Sequence, residues 1–205
     1  GTTALLPTLI TDTAEITRAT IDAGRQARRE RIPGFLGLHL EGPHLSVARK
    51  GAHDPSFIRP MEEADLELLL SSANDLGVLL TTIAPENVTE AQVAKLAEAG
   101  IVVSLGHTES SFETAGRYER VGARMVTHLF NAMSPLGHRE PGLVGAALES
   151  TTLHCGLIAD GIHVVPPSMA VARRAKQGRG RIFIVTDAMS PIGTDVTSFT
   201  LNGRE

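Results

Sequence analysis

Short apolar runs rich in β-branched residues alternate with longer amphipathic segments along this 205-residue chain. Such alternation is typical of a parallel sheet with helices outside. The runs are almost continuously apolar, which indicates strands that are buried on both faces. Seven strands are predicted, at Thr3–Thr8, Gly34–Leu40, Val78–Ile83, Ile101–Gly106, Arg124–Leu129, His154–Ala159 and Arg181–Thr186.

The segments between these runs carry the apolar spacing of helices. Five helices are predicted, at Ala14–Arg28, Asp65–Asn74, Ala91–Ala99, Ser110–Glu119 and Pro167–Lys176. Thr89 is a candidate N-cap for the third of them, and Gly100 fits its C-terminal end. The set contains no helix between the fifth and sixth strands.

Two architectures fit this pattern: a doubly wound sheet and a closed (β/α)8 TIM barrel. Residues that can bind metals or transfer protons follow several strands, and only a barrel brings all strand ends around one mouth. No G-x-G-x-x-G loop follows the first strand, which argues against a doubly wound nucleotide-binding sheet. The sequence therefore predicts an α/β fold with a TIM barrel. Seven strands, where a barrel has eight, lead us to expect that residues 1–205 are part of a larger protein.

Composition narrows the choice of partners and compartment. The net charge of −4 and the scarcity of aromatic residues argue against nucleic acid as a partner. No segment approaches the roughly 20 apolar residues of a membrane span. Cys155 is the only cysteine, so an internal disulfide is impossible and a cytoplasmic location is expected. Its apolar surroundings predict a buried structural thiol rather than a nucleophile.

Glu41 and His107 directly follow predicted strands, and His128 lies at the carboxyl end of another. A lone histidine at a strand end is more often structural. Two imidazoles and one carboxylate on three strand ends, however, are a common ligand set for a catalytic divalent metal that keeps a position open for water. The sequence therefore predicts a metal site at the barrel mouth.

Other residues with chemical potential are Asp187, His163 and two loops. Asp187 follows an apolar strand, where it could move a proton or merely cap a turn. His163 could polarise a carbonyl or hold substrate, and a packed loop histidine is the alternative. The loops Lys50–His53 and His138–Gly142 combine glycine with cationic side chains, which suits a phosphate but is also common in solvated loops.

Four further histidines are not assigned to the metal, and a fifth has an open role. His39 lies two residues before Glu41 on the same strand and therefore faces the same way. It could support the metal site or be an alternative ligand, and a structural role is favoured. The four unassigned histidines are His44, His53, His138 and His154.

The motifs at these strand ends are specific enough to indicate a family. They are Gly37–Pro43, Ser104–Thr108, Thr127–Met133, Pro135–Gly142, Asp160–His163 and Thr186–Met189. In this order, from one end of the chain to the other, they resemble the N-acetylglucosamine-6-phosphate deacetylase family of the amidohydrolase superfamily. The resemblance implies hydrolysis of the acetamide of N-acetylglucosamine 6-phosphate to glucosamine 6-phosphate and acetate.

The same resemblance implies a role for each candidate residue. The residues matching the metal ligands are Glu41, His107 and His128, and Asp187 matches the catalytic acid and base. The residues matching substrate contacts are Ala52, Asn131, Ala132, Arg139 and His163. Arg139 is expected to reach the active site of a neighbouring subunit, which implies a homodimer. One divalent ion is implied; zinc suits two histidines and a glutamate, and iron, cobalt and manganese also accept this set.

Two departures from the family pattern qualify these expectations. The family has a first barrel strand and a small β-sandwich that this chain lacks, so the seven strands would be barrel strands two to eight. His44 stands where an aromatic residue is more usual. Two alternatives therefore stay open: a deacetylase of N-acetylgalactosamine 6-phosphate or another N-acyl amine, and a non-catalytic fragment that binds metal or sugar phosphate.

Overall fold

The computed structural model describes residues 2–201, in which seven parallel strands form one curled sheet. The strands are β1 (Thr8–Ile10), β2 (Gly37–Glu41), β3 (Val78–Ile83), β4 (Val102–Leu105), β5 (Met125–Val126), β6 (His154–Ile158) and β7 (Ile182–Val185). Each strand pairs with the next one along the chain, from β1 to β7. A doubly wound sheet would reverse its order at a switch point. The strand order therefore confirms the predicted TIM barrel, of which the described residues form part of the wall.

Helices connect successive strands, as the alternating pattern predicts. They are α1 (Ala14–Arg29), α2 (Glu63–Ser72), α3 (Glu90–Glu98), α4 (Phe112–Arg120), α5 (Gly142–Glu149) and α6 (Pro166–Ala175), with a short 3-10 turn at Val47–Arg49. Thr89 caps α3 as predicted, since its side chain accepts a hydrogen bond from Gln92 N over 3.3 Å. Gly100 follows α3 with a left-handed φ of 81°, which confirms the predicted helix end.

Helix α5 was not predicted from the sequence. Its residues from Gly142 to Leu148 are all buried, so it has no polar face and no amphipathic periodicity. Gly142 N donates to the Glu140 carboxylate over 2.9 Å, and Leu143 N donates to Ser134 Oγ over 2.7 Å. The segment His138–Gly142, which the sequence predicts to be a loop, therefore ends in the first residue of a helix whose first two N–H groups bond to Glu140 and Ser134.

The two ends of the sheet also differ from the sequence prediction. β1 begins at Thr8, where the predicted first strand ends, and pairs Thr8 with His39. In β7, Phe183 and Ile184 are 36% and 66% exposed. The prediction of a strand buried on both faces is wrong here, because within residues 2–201 β7 is an edge strand with one neighbour.

The core lies between the sheet and its helices and includes Leu38, Leu66, Leu79, Leu96 and Val103. Cys155 is fully buried in the same core, and burial raises the pKa of its thiol to about 11. This confirms the predicted structural thiol. None of the described helices is long and apolar enough to cross a membrane.

Candidate metal centre

Glu41, His107 and His128 converge at the carboxyl ends of β2, β4 and β5. Glu41 Oε1 lies 3.4 Å from His107 Nε2 and 3.2 Å from His128 Nε2. The two Nε2 atoms lie 3.0 Å apart. All three residues are at most 5% exposed. The structure thus brings the three predicted ligand residues together in one buried triangle.

The triangle has the dimensions that a divalent metal ion requires. Metal–ligand bonds of about 2.0–2.2 Å separate neighbouring ligand atoms by about 3.3–3.6 Å in a tetrahedron and about 2.8–3.1 Å in an octahedron. The three edges, at 3.0, 3.2 and 3.4 Å, cover this range. Glu41 Oε1 is buried without a hydrogen-bond partner among the described residues. A buried carboxylate oxygen is costly unless it is paired or binds a metal, so the donor set fits a cation.

Backbone carbonyls orient both imidazoles toward this shared point. His107 Nδ1 lies 2.8 Å from Arg49 O, and His128 Nδ1 lies 3.1 Å from Asn131 O. A carbonyl oxygen only accepts, so Nδ1 carries the proton in both rings. In the neutral rings both Nε2 atoms therefore present lone pairs to the centre of the triangle. Hydrogen bonds of this kind commonly fix the orientation of metal-binding histidines.

The charges within the triangle shift the pKa of two of its groups. Burial opposes ionisation of Glu41, but the adjacent imidazoles of His107 and His128 hold its pKa well below the usual range. Burial also opposes protonation of His128, yet contact with the Glu41 carboxylate raises its pKa. The site therefore keeps a buried negative charge directed at the point where the three ligand atoms meet.

The backbone at two of the three candidate ligand positions is strained. His107 and His128 have φ values of 49° and 31°, in the left-handed region that non-glycine residues rarely adopt. Two backbone bonds support these turns: Ser46 N donates to His107 O over 2.8 Å, and Leu129 N donates to Gly156 O over 2.7 Å. Strain of this kind persists where surrounding contacts determine the conformation, and it is common at functional sites.

His53 also lies at this centre, although the sequence did not indicate it. Its Nε2 lies 3.8 Å from Glu41 Oε2, and its ring centroid lies 4.5 Å from that of His107. Ligand-type atoms of Glu41, His53 and His107 lie within 4.8 Å of one another. Burial, followed by the charge of His107, lowers the pKa of His53 to about 4, so its ring is neutral.

Hydrogen bonds distinguish His53 from the two predicted metal-binding histidines. Thr11 N donates to His53 Nδ1 over 3.2 Å, and the Thr11 hydroxyl lies 2.7 Å from the same nitrogen. Since a backbone N–H only donates, Nδ1 is an acceptor and the ring proton is on Nε2. His53 therefore presents an N–H donor to the site, whereas His107 and His128 present lone pairs. We assign His53 as a hydrogen-bond donor beside the metal site and not as a ligand.

The one local signal for His53 in the sequence is Gly51. Gly51 has a φ of 58°, and a Cβ added to it would lie 3.2 Å from His107 Cε1 and 4.0 Å from Ala132 Cβ. The loop Lys50–His53 thus packs against the loops that carry His107 and Ala132. It brings the segment that contains Ala52 next to Ala132, and the resemblance implies that both residues contact the substrate.

Asp187 and His163 occupy exposed positions after β7 and β6. Asp187 follows the carboxyl end of β7, at the same edge of the sheet as Glu41, His107 and His128, and its charge contributes to raising the pKa of His128. His163 lies in an exposed loop, where its Nδ1 lies 2.6 Å from Asp160 Oδ2. This pairing and two backbone N–H groups lower the pKa of Asp160 to about 2. The His163 ring is thereby held by a carboxylate.

The remaining predicted substrate residues lie on the loop after β5. Asn131 Nδ2 is buried and has no hydrogen-bond partner within the described residues, so it offers a donor to a ligand. Ala132 has a left-handed φ of 49°. Arg139 is exposed and forms no ion pair in the part of the chain that the structure describes. The loop that carries Arg139 is held by Gly137 N, which donates to Glu140 O over 3.0 Å.

Comparison with known proteins identifies relatives along the whole chain. No family model matches it. The chain is 49% identical, over 97% of its length, to an N-acetylgalactosamine-6-phosphate deacetylase from Shewanella sp. (strain ANA-3), of which it covers 50%. It is 36% identical, over its full length, to an N-acetylglucosamine-6-phosphate deacetylase from Danio rerio, of which it covers 52%.

Solved structures give the same result for the fold. The N-acetylglucosamine-6-phosphate deacetylase of Pasteurella multocida superposes with a TM-score of 0.92 at 37% identity, over 99% of this chain and 52% of that one. A mutant of the Mycobacterium smegmatis enzyme in complex with N-acetyl-D-glucosamine-6-phosphate gives a TM-score of 0.85 at 36% identity, over 98% and 52%. The chain spans about half the length of the curated relatives it matches. By sequence and by fold, the chain is a relative of the N-acetylglucosamine-6-phosphate deacetylases.

Proposed function

We propose that the protein containing this chain is a metal-dependent hydrolase that converts N-acetylglucosamine 6-phosphate to glucosamine 6-phosphate and acetate. The observation that carries this proposal is the buried triangle of Glu41, His107 and His128, with its unpartnered carboxylate oxygen. It lies at the carboxyl ends of barrel strands, where barrel enzymes place their active sites. The named relatives support the substrate class.

The proposed cofactor is one divalent metal ion held by Glu41, His107 and His128. Zinc suits two imidazoles and a carboxylate, and iron, cobalt or manganese would also fit. Such an ion supplies Lewis-acid polarisation of a carbonyl and lowers the pKa of a water molecule. The contribution of the chain is to hold two lone pairs and one carboxylate in a dry, fixed arrangement.

Asp187 is the proposed proton carrier of the reaction. Its carboxylate takes a proton from the attacking water, whose oxygen forms the new bond to the acetyl carbon. The bond from that carbon to nitrogen then breaks, and Asp187 returns the proton to the departing amine. His53, which presents an N–H, and His163, held by Asp160, are the donors proposed to stabilise charge on the carbonyl oxygen or hold the sugar.

Substrate binding is assigned to the loops after β2 and β5. Asn131 offers an unpartnered donor, and Ala132 lies beside the loop that contains Ala52. Arg139 suits the phosphate because a guanidinium binds phosphate oxygens in pairs. Its exposure supports the proposal that it reaches the site of a second subunit in a homodimer.

A second candidate is the same reaction on N-acetylgalactosamine 6-phosphate. The observation that favours it is the 49% identity to a deacetylase named for that sugar, against 36% to the Danio rerio relative. The two substrates differ only in the orientation of the C4 hydroxyl. Turnover of both epimers by the purified protein, compared as kcat/KM, decides between them.

The proposal is tested by assaying deacetylation with the full natural protein that carries this chain. We expect turnover that is lost after chelation and restored by a divalent metal, with about one metal ion per chain. A protein that binds sugar phosphate or metal but releases no acetate would be the non-catalytic alternative, and the proposed function would be wrong.

A further inference from the structure

A network of hydrogen-bonded polar side chains crosses one face of the sheet from β1 to the end of β5. Ser104 Oγ lies 2.6 Å from Thr127 Oγ1, which lies 2.7 Å from Thr82 Oγ1. His39 Nε2 lies 2.7 Å from Thr82 Oγ1, and His39 Nδ1 lies 3.1 Å from Thr8 Oγ1. Branched apolar residues usually fill the inside of a barrel, so a continuous network of polar side chains there needs an explanation.

One assignment of donors and acceptors satisfies every group in this network. The Thr8 hydroxyl donates to a backbone carbonyl over 3.3 Å, so it accepts from Nδ1–H of His39. His39 Nε2 then accepts from Thr82, Thr82 accepts from Thr127, and Thr127 accepts from Ser104. Each hydroxyl donates once and His39 is neutral, so every link is satisfied. Thr127 stands between two strands, bonded to β3 through Thr82 and to β4 through Ser104.

β5 needs such support because its backbone ladder is short. It contains only Met125 and Val126, which form two register pairs with β4 and two with β6. Thr127 follows at once, and its N–H donates to Leu105 O over 3.0 Å. The next residue is His128, whose left-handed backbone leaves the sheet toward the metal centre.

Close packing around Thr127 leaves little room for other arrangements. A Cβ added to Gly106 would lie 3.0 Å from Thr127 Cβ and 2.9 Å from Thr82 Cγ2. Contacts this short show that the segment after β4, which leads to His107, packs closely against Thr127, which leads to His128. A shift of Thr127 would therefore move His128 Nε2 relative to its partners in the triangle.

We propose that Thr127 is a positioning residue for the metal centre. Its hydroxyl ties the short strand β5 to β3 and β4, and this fixes the point from which His128 reaches Glu41 and His107. The proposal rests on the metal site of the proposed function, and it adds a residue that touches neither metal nor substrate. Positioning partners of metal ligands commonly contribute 10–100-fold to metal affinity, an order-of-magnitude range.

The test compares Thr127→Val, which keeps the shape and removes the hydroxyl, with Thr127→Ser, which keeps the hydroxyl. Zinc affinity is measured on the full natural protein by competition with a chromogenic chelator, and the unfolding temperature of the metal-free protein is measured in parallel. We expect Thr127→Val to weaken zinc binding by roughly 10–100-fold. We expect Thr127→Ser to bind zinc within about threefold of the wild type.

Thr81→Val is the matched control, because Thr81 is a buried threonine beside Thr82 that points to the opposite face of β3. It should leave zinc affinity unchanged. Equal zinc affinity of Thr127→Val and the wild type would overturn the positioning role and leave the proposed function intact. A third outcome is that Thr127→Val and Thr81→Val both lose zinc affinity in proportion to their loss of unfolding temperature without metal. That result would show that Thr127 has a merely structural role.

Ser104→Ala keeps the proposal falsifiable if Thr127→Val does not fold. It removes one of the two links to Thr127, so we expect a smaller loss of zinc affinity, about 3–10-fold, at an unfolding temperature close to that of the wild type. Unchanged affinity in Ser104→Ala would overturn the positioning role. A wild-type protein that binds no divalent metal would overturn the proposed function together with this inference.

Discussion

Thr11 N donates a hydrogen bond to His53 Nδ1 over 3.2 Å, across 42 positions of the chain. This bond gives His53 the opposite tautomer to His107 and His128, whose Nδ1 atoms donate to carbonyls. The same centre therefore holds two imidazoles that present lone pairs and one that presents an N–H. The first two can bind a metal, and the third can bind a substrate oxygen.

His53→Ala should separate these two roles. The metal ligands stay in place, so we expect metal content to be unchanged and zinc affinity to fall by less than about threefold. Removing a donor to the developing oxyanion typically lowers kcat by about 100–1,000-fold. Metal analysis and kcat on the same preparation measure both effects.

His107→Ala is the reference for this comparison, because it removes a residue of the triangle. It should lose metal and turnover together. If His53→Ala loses as much metal as His107→Ala, His53 is a ligand and the assignment from its tautomer is wrong.

Asp187→Asn should keep the metal and lose the reaction. The amide cannot take the proton of the attacking water or return it to the leaving amine, so we expect kcat to fall by about 100–10,000-fold. The triangle does not include Asp187, and the metal content should therefore equal that of the wild type. Near-normal turnover of Asp187→Asn with metal bound would contradict the proposed proton carrier.

His44 should make the free energy of unfolding depend on pH. Burial lowers the pKa of His44. The Arg59 carbonyl, near His44 Nδ1, and the Asp65 carboxylate, near His44 Nε2, partly offset this effect. In the unfolded chain a histidine titrates near pH 6.5, so below about pH 6.5 the unfolded state binds more protons. Stability should therefore fall as the pH falls, by at most about 1.4 kcal/mol per pH unit from this group, until the folded pKa is reached.

His44→Phe removes this group and should flatten the pH dependence between about pH 6.5 and pH 5. Urea unfolding at several pH values, compared with the wild type, measures the difference. His138→Phe, which makes the same replacement at an exposed position, is the control variant. A His44→Phe profile parallel to that of the wild type would show that His44 does not contribute.

The sequence predicts the barrel strands and the triangle because both depend on local pattern. Glu41, His107 and His128 each follow an apolar run, and parallel strands bring their carboxyl ends together whatever the connecting segments do. The prediction fails where tertiary contacts decide. Helix α5 has no polar face to give a period, and His53 reaches the centre only because its loop folds back onto His107. The exposure of β7 depends on its place at the edge of the described sheet, which no local pattern reveals.

Arg139 should affect the binding of phosphorylated substrate more than the chemical step. A charge-assisted hydrogen bond contributes about 1.5–3 kcal/mol, so we expect Arg139→Ala to raise KM for N-acetylglucosamine 6-phosphate by roughly 10–100-fold. Activity on unphosphorylated N-acetylglucosamine should stay the same. A similar loss on both sugars would contradict a role at the phosphate.

A mixed dimer shows which subunit uses Arg139. One subunit carries Asp187→Asn and the other carries Arg139→Ala, and dimers of each variant alone are poor catalysts. If Arg139 serves the neighbouring site, the subunit with an intact Asp187 receives an intact Arg139 from its partner. Mixing should then restore one working site of the two, with the KM of the wild type and about half its kcat per dimer. If Arg139 serves its own subunit, no site in the mixed dimer has both residues, so the high KM persists and the proposed exchange across the dimer is wrong.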